Sequence, residues 1–152
     1  MEALFGMIAI GLVIWALSKR NKPLPPSHTK RTVELTGNGK YDYEIVGESH
    51  YQRNIMKALN LSGGQSSKSF QVTLIHDDYN KYDNQAIAVY IGEYKVGHLS
   101  KGKARGYRKL MKDLGFEGLY GKCNGTVWGG GSKKNYGIWL DYKPRLMRKK
   151  YS

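Results

Sequence analysis

An acid-rich stretch, His76-Asp77-Asp78 with Asp83 following, is where this sequence first suggests chemistry. Carboxylates clustered in a loop between strands are hard oxygen ligands for a divalent cation. A metal-dependent nuclease is therefore one reading of the chain. It wants a second carboxylate cluster or a spaced His/Glu motif, and the sequence offers neither. Ser100 and the histidines show no nucleophile signature. Gly129 to Gly131 precede a strand pattern, not a helix, so they do not form a phosphate-cradling nucleotide loop. The one cysteine, Cys123, excludes an internal disulfide and a zinc cluster. It reads as a free structural thiol inside a strand. We expect a binding protein and not an enzyme, with no metal, no cofactor and no small-molecule substrate.

Charge says more. The net charge is +13, and it is local: 15 basic residues face 3 acidic ones from Lys95 to Ser152, while Lys30 to Tyr94 is close to neutral. A concentrated excess of this kind points to an anionic polymer or an anionic lipid surface. The aromatic residues lean to Tyr, with 12 against 3 Trp and 3 Phe, and Tyr serves both cores and base-stacking surfaces.

The elements that must carry these residues can be read from periodicity. Ala3 to Leu17 is an uncharged run including Phe5, Ile8, Leu12 and Trp15, followed by Lys19 and Arg20. As a helix it would be about 22 Å long, against a hydrocarbon core of roughly 30 Å. The aromatic residue and the snorkelling cations at its end favour a membrane anchor over a buried helix. The charge order is the reverse of a secretory signal, and the positive-inside rule puts the rest of the chain in the cytoplasm. Residues 1–20 are thus expected to form the anchor and residues 21–39 a Pro-rich tether. Residues 40–143 are the globular domain and residues 144–152 a basic tail.

Within the domain, Tyr41 to Val46, Ser69 to His76, Ala86 to Ile91, Tyr94 to Leu99, Tyr120 to Trp128 and Tyr136 to Tyr142 read as strands. Gly92-Glu93 is a hairpin turn. Gln52 to Leu61 is a short helix with Ile55, Met56 and Leu59 inward, stopped by Gly63 and Gly64. Ser100 caps a second helix that runs to Leu114 and ends at Gly115. Its apolar stripe is Ala104, Tyr107, Met111 and Leu114; Lys101, Lys103, Arg105, Arg108, Lys109 and Lys112 fill the rest. Five or six antiparallel strands with two helices make a mainly β domain, which must close its edges into a barrel or a sandwich.

Three blocks resemble the HIRAN domain family. They are Ile45-Val46-Gly47-Glu48-Ser49-His50-Tyr51, then Asn80-Lys81-Tyr82-Asp83-Asn84-Gln85-Ala86-Ile87-Ala88-Val89-Tyr90, then Lys95-Val96-Gly97-His98-Leu99-Ser100. With Tyr136 to Asp141 the resemblance covers about residues 41–142. It implies a small OB-like antiparallel barrel that binds single-stranded DNA at a free 3′-hydroxyl end. It also implies that His50, Tyr51, Asn80, Tyr82, Asp83, His98 and Lys101 form the site. A DNA-processing protein is a further expected partner.

The side-chain types suit that task. Tyr82, Tyr51 or His50 can stack on a terminal base. Lys101, Lys103, Arg105 and the helix N-terminus after Ser100 can hold phosphates. Asp83 repels phosphate but accepts a hydrogen bond from a hydroxyl, which would favour a 3′-hydroxyl over a 3′-phosphate. Plainer roles stand beside these: Asp83 as an Asx turn, His98 as a satisfied strand-end histidine, Tyr82 as core, and the basic helix as a solvated face. That helix could equally lie on anionic lipid or an acidic protein, with the barrel as scaffold.

Overall fold

A computed structural model describes residues 31–61, 69–130 and 134–143. The expected anchor (residues 1–20), most of the tether and the basic tail lie outside these residues. Among the described residues no helix is long and apolar enough to cross a membrane.

Seven strands form one sheet: β1 (Thr32–Glu34), β2 (Tyr43–Glu44), β3 (Ser69–Asp77), β4 (Ala86–Ile91), β5 (Tyr94–His98), β6 (Tyr120–Gly129) and β7 (Tyr136–Asp141). Two helices accompany them, α1 (Gln52–Leu59) and α2 (Lys101–Asp113), with a 3-10 turn at Glu48–His50. The order is β2-β7-β6-β3-β4-β5, antiparallel at every step, and β1 adds parallel to the start of β6. The two ends of this row meet. Val46 N–H donates to the His98 carbonyl at 2.8 Å and His98 N–H to that of Val46 at 2.9 Å, closing the row into a barrel. Closure removes the edges that a sheet of this size would otherwise expose. The expectation of a mainly β, OB-like barrel with two short helices holds.

Closure needs close approach. A Cβ on Gly97 would stand 2.8 Å from both the Ile45 side chain and the Val46 carbonyl oxygen. Gly47 lets the chain turn directly afterwards, at a φ of 82° that favours glycine.

Inside, Ile45, Val72, Leu74, Ile87, Val89, Val96, Val127, Ile138 and Leu140 fill the core. Strand β4 is buried along its whole length because a second small cluster, Ile75, Ala88 and Tyr90, covers its other face. Helix α2 plugs one end with Ala104, Tyr107 and Met111. There Tyr107 meets Tyr142 edge-on, and Tyr142 stacks on Tyr43 at 4.5 Å. Cys123 is buried in β6, and burial pushes its thiol up to about 12, so it is inert packing.

Several details differ from the sequence reading. The domain begins earlier than residue 40. Thr32–Glu34 pairs with Tyr120–Lys122, and Leu35 is buried. The Asp141 carboxylate accepts from the N–H groups of Asn38 and Gly39, both at 3.0 Å, so 32–39 is part of the barrel and not tether. Helix α1 stops at Asn60, which adopts the left-handed conformation usual for a C-terminal cap, before either glycine is reached. Its buried face is Ile55 with Ala58 and Leu59, and Met56 is exposed. In α2, Leu110 is buried where Leu114 was expected to be. Ser100 occupies the N-cap position of α2 but its side chain makes no capping hydrogen bond.

Gly97→Ala is expected to strain the barrel seam and cost about 1–3 kcal/mol. Gly106→Ala, in α2 with nothing within 4 Å of its Cβ, is expected to stabilise by roughly 0.5–1 kcal/mol. Urea denaturation of the two variants beside the parent measures both.

Candidate nucleic-acid interface

The barrel seam sits where the three sequence blocks come together. His98 ends β5 and pairs through its backbone with Val46, so the first and third blocks are bonded to each other. The Gln52 side chain then fixes the first block. Its amide donates to the carbonyls of Glu48 and Tyr136, both at 2.9 Å, and accepts from Tyr136 N–H at 2.8 Å. This holds the 3-10 turn, and hence exposed His50 and half-buried Tyr51, against β7. The Tyr51 ring approaches the His98 ring edge-on, 6.4 Å between centroids.

Asp77, at the end of β3, is the hub of the middle. One of its oxygens takes Lys95 Nζ at 2.8 Å, His98 Nε2 at 3.0 Å and Asn80 Nδ2 at 3.2 Å. Burial works to raise the Asp77 pKa, but these three donors outweigh it and hold the carboxyl at about 2. Burial likewise depresses the pKa of His98, against the pull of Asp77. A neutral His98 therefore carries its proton on Nε2, the atom facing the carboxylate.

Asn80 joins this hub to the next turn. Its side-chain oxygen accepts Tyr82 N–H at 3.0 Å and its carbonyl accepts Asp83 N–H at 3.3 Å. Asp83 closes the loop onto α2. It receives Arg105 in a two-pronged pair at 3.1 and 3.3 Å, and Gln85 N–H at 3.0 Å. Arg105 first, and then the Gln85 N–H, hold its pKa below the usual aspartate value. The Asx-turn role of Asp83 is thus real, and the carboxylate is not solitary. Arg108 pins the same loop from the next turn of α2, with Asp78 Oδ1 at 2.6 Å, the Gln85 carbonyl at 2.9 Å and that of Ala86 at 3.1 Å.

So braced, the loop holds two tyrosines outward. Tyr82 is 78% exposed with Lys81 Nζ 4.7 Å from its ring centre, and Tyr79 is fully exposed. Tyr82 is therefore not core.

Tyr51, His98, Asn80 (joined to His98 through Asp77), Tyr82, Asp83, Arg105 and, through its carbonyl bond from Arg105, Lys101 form one connected chain of contacts. Two expected members stand outside it. His50 is exposed on the 3-10 turn, where its N–H donates to the Gly47 carbonyl at 3.1 Å. Lys103 points the other way, donating to the Glu44 carbonyl at 2.8 Å with its ammonium 5.5 Å from the Tyr43 ring centre. Three surface hollows, of about 640, 330 and 270 Å³, are lined by other residues.

Sequence reasoning treated Asp77 and Asp78 as metal candidates and gave Lys95, Tyr79 and Arg108 no place in the site. Each carboxylate of the acidic loop instead faces its own cation: Asp77 with Lys95, Asp78 with Arg108, Asp83 with Arg105. Among the described residues no three metal-ligating side chains converge. The sequence showed cations after the loop, Lys95 in β5 and six basic residues in α2, but not which of them each acid would face.

No protein-family profile matches this chain, and no curated protein matches it. Two solved structures resemble it. A protein from Lactobacillus plantarum has a TM-score of 0.36 and 20% identity, over 66% of this chain and 91% of that one. The HIRAN domain of human HLTF has a TM-score of 0.38 and 21% identity, over 66% of this chain and 74% of that domain.

The Asp77 hub should register as acid sensitivity. The unfolded chain protonates this carboxylate near 3.8, whereas the folded one holds it ionised down to about 2. Its contribution is complete well above 3.8 and is lost as the pH falls toward 2. With a fifth of the side chain in water, we expect about 1–2 kcal/mol. Unfolding of the parent and of Asp77→Asn, compared at neutral pH and near pH 2, should differ at the first and converge at the second.

Proposed function

We propose that this chain is a DNA-binding module that holds single-stranded DNA, and its free 3′ end, on the patch beside the barrel seam. The observation that carries the reading is the start of α2. Its first turn carries Lys101 toward the patch and no acid, and Ser100 leaves it without a side-chain cap. Cations at a helix N-terminus oppose the helix dipole. Free N–H groups and an ammonium ion there together favour a bound anion. A phosphate satisfies both, and it would lie next to His98 and the braced loop.

In this reading Lys101 and Arg105 neutralise phosphate, and Tyr82, with Tyr51 or His50, stacks on the last bases. Asp83 is already paired, yet a carboxylate has about four lone-pair sites and can accept one more donor. Pinned by Arg105, it is positioned to take a terminal hydroxyl and to repel a terminal phosphate. The resemblance of the three blocks to HIRAN domains supports the same assignment. The reading is of binding and not catalysis, because the acidic loop spends its charge on its own cations. The uncharged run at residues 3–17 would hold this module at the cytoplasmic face of a membrane.

The test is titration of the full chain, in detergent micelles, with short oligonucleotides ending in a 3′-hydroxyl or a 3′-phosphate. Binding should weaken steeply with salt, and Lys101→Ala should lower the salt slope by about one. Tyr82→Ala should cost roughly 1–3 kcal/mol of affinity. The hydroxyl end should be preferred, and Asp83→Asn should narrow that preference. Equal affinity for both ends would remove end recognition. Liposome binding without oligonucleotide binding would replace DNA with lipid as the ligand of the basic surface.

A further inference from the structure

The outer face of β6 and β7, away from the patch, carries an aromatic groove that DNA binding does not use. In the register, Trp139 lies between Glu44 on β2 and Thr126 on β6, and Trp128 lies opposite Gly137. The Trp139 ring covers that glycine: a Cβ there would stand 2.8 Å from it. Trp128 is 53% exposed. Tyr41, at a left-handed φ of 52°, crosses the face and meets Ser69 Oγ at 3.2 Å. These three rings and Lys40 line a groove of about 640 Å³. Trp128 and Trp139 also border an adjoining hollow of about 330 Å³ that Glu44 and Glu48 line.

One lysine beside two carboxylates is a poor track for a polyanion. Rings next to carboxylates suit an extended proline-rich segment with a basic flank, whose pre-formed polyproline II helix docks on aromatic grooves. This chain contains such a segment, Arg20-Asn21-Lys22-Pro23-Leu24-Pro25-Pro26. A polyproline II helix repeats every three residues, so Arg20, Pro23 and Pro26 would share one edge.

We propose that the groove receives Arg20–Pro26 of a second copy of this chain, with Pro23 and Pro26 against Trp128, Trp139 and Tyr41 and Arg20 beside Glu44 and Glu48. Reach decides for a second copy. The described chain starts beside Tyr120, where Thr32 pairs, and the groove lies at Thr126 to Trp128. Six to eight strand residues span about 20–26 Å. Pro26 is six residues before Thr32, and six residues reach at most about 22 Å; because β1 runs parallel to β6 with Thr32 at the Tyr120 end, that reach would also have to cover doubling back along β6. A chain's own segment falls short; a neighbour's, tethered in the same membrane, does not.

The test uses the full chain in micelles with Trp15→Phe, so that emission reports Trp128 and Trp139. The probe is a synthetic peptide of residues 18–29, added to a chain whose own segment carries Pro23→Ala and Pro26→Ala. We expect a saturable change in emission that Trp128→Ala abolishes. Peptides carrying Arg20→Ala or Pro26→Ala should bind about tenfold more weakly, and they cannot disturb the fold. The parent chain should associate with rising concentration in sedimentation, excess peptide should reverse this, and the double proline variant should stay monomeric. Absence of a saturable change overturns the groove assignment. Peptide binding to a parent chain that remains monomeric overturns the second copy. Saturation of the same tryptophans by oligothymidine and not by the peptide would give the groove to nucleobases. None of these failures touches binding at the α2 end, which uses other residues.

Discussion

Two hydrogen bonds between Val46 and His98 hold the architecture together. Each backbone bond contributes only about 0.5–1.5 kcal/mol net. Their consequence is larger than their energy, because they turn a six-strand row into a barrel with an enclosed core. They also position the patch, whose residues lie on either side of the seam: Tyr51 just after the first strand edge, His98 and then Ser100 and α2 just after the second. Gly97 is the condition for this. It is the point where side-chain volume is given up so that two backbones can meet.

The second organising feature is how charge is distributed. The end of β3 and the loop after it carry three acids, and each faces a cation from β5 or α2. These pairs are partly exposed, so their worth lies less in stability than in geometry. They hold Tyr79 and Tyr82 outward on a stiff loop instead of letting them fold onto the surface. Lys101, among the described residues, has no such carboxylate of its own, and it stands where the helix dipole is positive. A local arrangement that costs energy without a ligand is a reasonable mark of a ligand site.

Much of this was legible in the sequence, for identifiable reasons. Alternation of Phe70, Val72 and Leu74, and the unbroken Ala86–Ile91 run, gave strands because a buried sheet face leaves a period of two or no period at all. The three residues of β1 were missed because Thr32–Glu34 is too short to show a period. What fixes it is pairing with β6, 88 residues further along the chain at Thr32–Tyr120, and the Asp141 carboxylate that holds the Asn38 and Gly39 N–H groups after it. Met56 was placed inward because a helix of about two turns allows two rotations, and only packing against β5 and β4 selects one. For the patch, residue types were readable and partners were not. That Asp83 answers Arg105, and that Lys103 leaves for Glu44, follow from where α2 lies on the barrel. The outer groove was unreadable for the same reason: Tyr41, Trp128 and Trp139 come from three separated segments.

The central claim, that the seam builds the binding surface, is open to direct mapping by amide chemical shifts of the full chain in micelles as a 3′-hydroxyl oligonucleotide is added. The account predicts that the largest changes fall on Val46, Tyr51, Asn80, Tyr82, His98 and Lys101 to Arg105, as one contiguous set around the Val46–His98 bridge. Changes confined to the outer face of β6 and β7, or to the far end of α2 near Lys112, with the bridge amides unmoved, would contradict it.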